Sequence, residues 1–178
     1  ILTTIPYIYH SIYIIRCNQN KYNKRKTTFK KHYAIIKLKG GIVMENLDYI
    51  KLATAEAEKN LTSNEGGPFG AVIVKDNVIV GTGHNQVLLN NDPTCHAEIQ
   101  AIRNACQNLG TYDLTDCILY TSCYPCPMCL SATIWANIKT IYYGNTAEDA
   151  DKIGFRDDFM YQYLADKSIN LLELKPLG

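Results

Sequence analysis

From residue 44 onward, short apolar runs alternate with longer stretches of helical period, and that alternation leaves few folds open. Leu47, Ile50, Ala53, Ala57 and Leu61 recur at spacings of three and four and predict an amphipathic helix over about 46–61. A breaker cluster, Asn64-Glu65-Gly66-Gly67-Pro68, ends it. Ala71-Val72-Ile73-Val74 and Val78-Ile79-Val80, joined by Asp76-Asn77, read as a hairpin. Asp92-Pro93-Thr94 supplies cap chemistry for a helix from about Cys95 to Leu109, which Gly110 ends. Ile118-Leu119-Tyr120-Thr121 is the third strand. Pro125 and Pro127 open a helix that runs to about Ala136, since proline suits a first helical turn. Thr140-Ile141-Tyr142-Tyr143 is the fourth strand, helices follow over 147–153 and 158–165, and Leu171-Leu172-Glu173-Leu174 reads as a fifth strand. The order predicts an α/β domain of three layers, α/β/α, around a mixed five-stranded sheet. The hairpin is antiparallel, and parallel pairing is expected after it.

Charge divides the chain at the same place. Lys and Arg number 18 and Asp and Glu 17, a net of +1. Nine of the basic residues and none of the acidic ones fall in residues 1–43, so residues 44–178 carry a net of −8. The leader has no clean period, and its apolar part is too short and too polar to span a bilayer. It lacks the basic start and small-residue cleavage site of a secretory signal. An organelle transit segment or a nucleic-acid arm is one reading of it. The preferred expectation is that Met44, the first methionine, is the natural start, and that 1–43 is not native or is disordered. The domain then occupies 44–178 and is cytoplasmic.

Seven cysteines, an odd count with no mark of secretion, argue against a disulfide framework. Cys126-Pro127-Met128-Cys129 follows a strand and opens a helix, a setting that favours thiolate. Alone, that pair fits a redox site as well as a metal. His96-Ala97-Glu98 also opens a helix that follows a strand, so the two helix starts can point at one spot. One imidazole and two thiolates leave a fourth position for water, the arrangement of a catalytic zinc site rather than a closed structural one. Glu98, two residues beyond the histidine, can then reach that water, whose pKa zinc lowers, and carry its proton.

Three stretches carry a family resemblance over nearly all of 44–178. They are Gly67-Pro68-Phe69-Gly70-Ala71, Asn91-Asp92-Pro93-Thr94-Cys95-His96-Ala97-Glu98, and Tyr120-Thr121-Ser122-Cys123-Tyr124-Pro125-Cys126-Pro127-Met128-Cys129. H-x-E followed by P-C-x-x-C is the pattern of zinc nucleobase deaminases, and the chain resembles the cytidine/deoxycytidylate deaminase superfamily. Ile134-Trp135-Ala136 and Ile153-Gly154-Phe155-Arg156-Asp157-Asp158 resemble its bacterial guanine deaminase branch. The tRNA adenosine deaminases share the front motifs and typically lack the Gly-Phe-x-Asp segment.

The resemblance implies zinc on His96, Cys126 and Cys129, with Glu98 as the proton carrier. It implies Asn85 bonded to the base, Phe69 as a wall of the base pocket and Asp157 as a second catalytic residue that contacts the substrate amine and helps to shuttle its proton. Read without it, Asn85 is a turn residue, Phe69 a core aromatic and Asp157 a helix cap. The implied reaction is hydrolysis of a free purine base, guanine to xanthine plus ammonia, by a homodimer. Two departures stand out: Tyr124 replaces a glutamate common before P-C-x-x-C, and little sequence follows the last predicted strand where relatives have a pocket-closing segment. The alternatives are tRNA adenosine deamination, another base or nucleoside, and a non-enzymatic zinc-stabilised binding protein. The net of −8 disfavours nucleic acid, and a structural zinc site has no use for Glu98. Gly81-Thr82-Gly83 fails as a dinucleotide fingerprint because Gln86 takes the third glycine position. Cys95, Cys106, Cys117 and Cys123 read as packing residues, and His84 as a satisfied turn histidine.

Overall fold

The computed structural model describes residues 14–15, 35–36, 44–166, 168–169 and 171–176. In chain order the strands are β1 (Ile14–Ile15), β2 (Ile35–Ile36), β3 (Gly70–Lys75), β4 (Val78–His84), β5 (Cys117–Cys123) and β6 (Thr140–Asn145). The helices are α1 (Asn46–Glu58), α2 (Asn60–Ser63), α3 (Val87–Asn90), α4 (Ala97–Leu109), α5 (Pro127–Trp135), α6 (Ala147–Lys152) and α7 (Asp158–Ala165). One sheet has the order β1-β2-β4-β3-β5-β6. At its edge β2 meets β4 through Ile36 and Ile79. The other expectations for 1–43, and Cys17, lie outside the described residues.

The hairpin turn holds both Asp76 and Asn77 at positive φ (50° and 60°), the backbone that a two-residue hairpin of matching twist requires. Two expectations about the sheet need correction. First, β3 pairs antiparallel with β5 as well as with β4, and only β5 and β6 run parallel. A buried apolar run reads the same in either direction, so composition could not fix this. Second, Leu171-Leu172-Glu173-Leu174 forms no strand; its three leucines are exposed. The domain's own sheet therefore has four strands rather than five, extended at one edge by the two short isoleucine pairs.

The three layers are as expected. On one face, α1 packs Tyr49 and Ala53 against Val72, Val74, Ile79 and Tyr120. The register of α1 differs from the reading above: Tyr49, Ala53 and Ala57 are buried, whereas Leu47 and Leu61 are exposed. Tyr49 packs against Tyr120 with ring centroids 4.8 Å apart and planes tilted by 37°, and that aromatic contact sets the helix face. On the other face, Ala97, Ala101 and Ala105 of α4 join Ala71, Ile73, Val80, Leu119 and Ile138 in the larger core.

Helix α4 lies almost on the backbone of β4. A Cβ at Gly81 would stand 2.4 Å from the carbonyl of Ala101, and one at Gly83 2.4 Å from that of Ala97. The two glycines that fail as a nucleotide motif thus serve close helix–strand packing. Asn104 and Asn108 donate from the same helix to the carbonyls of Thr82 and Val80 (2.7 and 2.8 Å), satisfying outward-facing groups of β4. This seat fixes the start of α4, where His96 and Glu98 stand.

Candidate active site and metal centre

Helix α4 starts later than expected, so the Asp92-Pro93-Thr94 segment does not supply its N-cap. His96 is the N-cap of α4 and Cys126 the N-cap of α5; both have extended backbones and neither makes a side-chain cap bond. A cap position normally holds a short side chain that turns back on its own helix. Here the two side chains turn towards each other instead. Asp92 sits ahead of α4 and holds the approach loop, accepting from the Thr94 N–H (2.8 Å), the Thr94 hydroxyl (2.7 Å) and the Cys95 thiol (3.1 Å). These bonds, the Thr94 hydroxyl first, hold its carboxyl down to about 2.

His96 Nδ1 lies 3.6 Å from the sulfur of Cys126 and 3.6 Å from that of Cys129. All three ligand atoms fall within 4.8 Å of one another. Tetrahedral zinc, with Zn–S about 2.3 Å and Zn–N about 2.0 Å, separates its N and S ligands by about 3.5 Å, so the donor set fits the ion in chemistry and in size. The Cys126 thiol is lowered to about 4, chiefly by the hydrogen bond from Cys129 and then by His96, against the opposing effect of burial. The same bond, with burial, pushes Cys129 up. Contact with Cys126 raises His96.

Glu98, in the first turn of α4, is buried. Its Oε1 accepts from the Thr121 hydroxyl at 2.9 Å, and its Oε2 lies 3.3 Å from the Cys129 sulfur. Burial raises the carboxyl above its ordinary range, and the bonds from Thr121 and Cys129 oppose that rise. Sequence reasoning missed Thr121. Its only signal is a pair of hydroxyls, Thr121 and Ser122, in an otherwise apolar buried strand.

A cavity of about 600 Å³ opens onto this centre, a volume typical of small-molecule sites. His96, Glu98 and Cys126 line it, and so do Asn85, Phe69 and Asp157. The side-chain oxygen of Asn85 accepts from the Val87 N–H (3.1 Å), so the turn bond is made and the amide still faces the cavity. Phe69 stands edge-on to Phe155, with centroids 4.9 Å apart and planes at 89°. Asp157 occupies the N-cap position of α7 but makes no side-chain cap bond. Burial, then the charge of Cys126, raises its carboxyl. Phe155, Arg156, Met160 and Leu88 were not singled out from the sequence as lining residues, yet all line the cavity.

Tyr124 also lines it and belongs to an aromatic cluster, edge-on to Tyr143 at 5.1 Å and tilted against Tyr161 at 6.3 Å. The Tyr161 hydroxyl donates to the Pro125 carbonyl at 2.6 Å, tying α7 to the loop ahead of Cys126. Cys95 and Cys123 lie outside the metal group; Cys123 bonds the Thr146 carbonyl, and burial pushes its thiol up to about 11.

Residues 44–145 match the cytidine and deoxycytidylate deaminase zinc-binding region. The chain belongs to this deaminase family. It is a hydrolytic deaminase, and zinc is the metal that the His96, Cys126 and Cys129 group fits. It is 51% identical over 119 residues to guanine deaminase of Bacillus subtilis (strain 168), covering 67% of this chain and 76% of that one. The X-ray structure of guanine deaminase from Bacillus subtilis superposes with a TM-score of 0.73 at 45% identity, covering 76% of this chain and 87% of that one. A tRNA-specific adenosine deaminase of Streptococcus pyogenes serotype M18 is 38% identical over 126 residues, covering 71% of this chain and 76% of that one. Among the described residues, no helix of this deaminase is long and apolar enough to cross a membrane.

Proposed function

We propose that this deaminase acts on a free purine base, and that the base is guanine, which with one water gives xanthine and ammonia. The observation that carries the reading is the cavity lining. Two phenylalanine rings, one amide and one carboxyl share an enclosure with the metal group and Glu98. Aromatic faces suit a flat heterocycle, and a few placed polar groups set its orientation. The match to guanine deaminase of Bacillus subtilis supports the choice of base.

Zinc, when bound, activates a water for attack on the amino-bearing carbon. Glu98 would carry two protons in turn: the first leaves the attacking water for a ring nitrogen, and the second leaves the newly added hydroxyl for the amino group, which departs as ammonia. Thr121 holds the carboxyl in line for both transfers. The Asn85 amide bonds the polar edge of the base, Asp157 accepts from its amino group, and Phe69 with Phe155 excludes bulk water.

Arg156 is the lone Lys or Arg among the lining residues, and it is paired with Asp151 (3.2 Å) and Asp158 (3.6 Å). Among the described residues, then, the cavity offers a phosphate backbone one cation, already beside two carboxylates, which favours a base over RNA. The test is ammonia release from zinc-loaded protein given guanine, adenine, cytosine, their nucleosides and a tRNA anticodon stem-loop. Turnover of guanine alone is expected. Turnover of another member with none of guanine would overturn the reading.

We also infer a homodimer from the exposed Ile134 and Trp135 on α5, tested by sedimentation. A reducing, cytoplasmic setting agrees with the unpaired cysteines of the described chain. The domain is taken as 44–178, so deleting 1–43 is expected to leave turnover intact.

A further inference from the structure

A second polar cluster lies behind the cavity rather than in it. His84 ends β4 and does not line the cavity. Its Nε2 stands 2.6 Å from Oε2 of Glu65, and its Nδ1 3.8 Å from Oε2 of Glu56. Gln86 donates to the same Glu65 oxygen at 3.4 Å and is itself held by Gln100 of α4 at 3.1 Å. Lys59 pairs with Glu56 at 2.6 Å. The expected satisfied histidine is therefore present, and what satisfies it belongs to a loop 19 residues away.

That loop is a wall of the site. Gly66, Gly67, Pro68 and Phe69 all line the cavity, immediately after Glu65. The main-chain carbonyl of Glu65 accepts from the N–H groups of Leu88 and Leu89 (2.9 and 3.0 Å), which open α3. So Glu65 is gripped twice: its carboxylate by the end of β4, its carbonyl by α3. The contact it protects is close. A Cβ at Gly66 would stand 2.0 Å from Oδ1 of Asn85, so the loop backbone rests directly on that amide. Asn60 adds a second brace, donating to the carbonyls of Gly67 (2.7 Å) and Asn85 (2.8 Å).

We propose that His84 and Glu65 are a positioning pair that presses the 65–69 loop onto Asn85 and so sets how tightly the cavity grips its base. The proposal rests on the function given above for the word base, and on the contacts alone for the rest. The pair touches neither the metal group nor the reacting atoms. Its loss loosens one wall and one amide, which weakens ground-state and transition-state binding together.

The experiment uses the zinc-loaded full chain and the variants H84A, E65A, the double variant, and the milder H84Q and E65Q. Amide hydrogen exchange of residues 66–69 and 85–88 is measured without substrate, and KM and kcat with guanine. Each alanine variant is expected to speed exchange in those segments and to raise KM about five- to tenfold with kcat within about twofold, the scale of coupling inside one hydrogen-bond network. The double variant should be no worse than either single one, and the milder variants should fall between. Unchanged exchange, additive effects in the double variant, or a fall in kcat at constant KM would each overturn the proposal. If the wild type fails to turn over guanine, the substrate reading fails; the exchange comparison, which needs no substrate, still decides the pair.

Discussion

Replacing Thr121 by valine tests the mechanism at the point where fold and chemistry meet. Thr121 is 1% exposed, and its hydroxyl is the short bond (2.9 Å) that holds Oε1 of Glu98. Valine keeps the volume and the strand propensity but removes the donor. It leaves a buried carboxyl oxygen without its partner, at a cost of about 1–3 kcal/mol. For a domain of this size the cost lowers Tm by about 3–10 °C. Glu98 also loses the contact that selects its rotamer, and a misplaced proton carrier forfeits about 10- to 100-fold in kcat. The assay pairs calorimetry of zinc-loaded protein with initial rates of ammonia release, with zinc content measured on the same samples. T121S, which restores the hydroxyl, is expected to recover most of both. If T121V matched wild type in Tm and kcat at equal zinc content, Glu98 would not depend on this bond and the positioning role given to Thr121 would be wrong.

Gly83→Ala places a methyl 2.4 Å from the Ala97 carbonyl and 2.6 Å from the Ala101 nitrogen. It should cost about 1–3 kcal/mol in urea unfolding and lower zinc affinity by shifting the start of α4. Removing zinc with a chelator should lower Tm and abolish turnover, and zinc but not magnesium should restore both, since magnesium prefers oxygen ligands. Asp92 has its folded pKa lowered to about 2, so the stability it contributes is present above the ordinary carboxylate range and lost as pH falls from about 4 towards 2. The melting midpoint of Asp92→Ala should therefore fall less steeply over that window than that of wild type.

How much of this was legible in the sequence depended on how local the cause was. His96, Glu98, Cys126 and Cys129 sit at fixed spacings in two helix starts, so the covalent chain itself carries their pattern. Thr121 lies within the stretch that carries the resemblance, but its contact with Glu98 arrives through sheet register, with Ala71 opposite it on β3, and no local spacing marks that role. The direction of β5 was equally hidden, because a strand buried on both faces shows no alternation to read. Helix α1 was found, yet its face was misread. Tyr49 stands outside the apolar period of Leu47, Ile50, Ala53, Ala57 and Leu61, yet its ring is core and its hydroxyl reaches the Asn77 carbonyl at 3.4 Å. Asn85 makes the turn bond of its plainer reading and also lines the cavity, while a bond from its amide to the base belongs to the proposed function.

The seat of α4 on Gly81 and Gly83 has a consequence for how such an enzyme changes its substrate. Backbone rests on backbone there, with no layer of adaptable side chains between. A helix mounted in this way has no slack to take up, so His96 and Glu98 stay where they are through most core substitutions. Phe69 and Asp157 sit on segments that the mount does not include, whereas the Asn85 segment is tied to α4 through Gln86 and Gln100. New specificity is therefore expected to arise by exchanging the Phe69 and Asp157 segments around a stationary metal and proton carrier, and libraries that sample them while sparing the two glycines should yield the larger share of folded, zinc-holding variants.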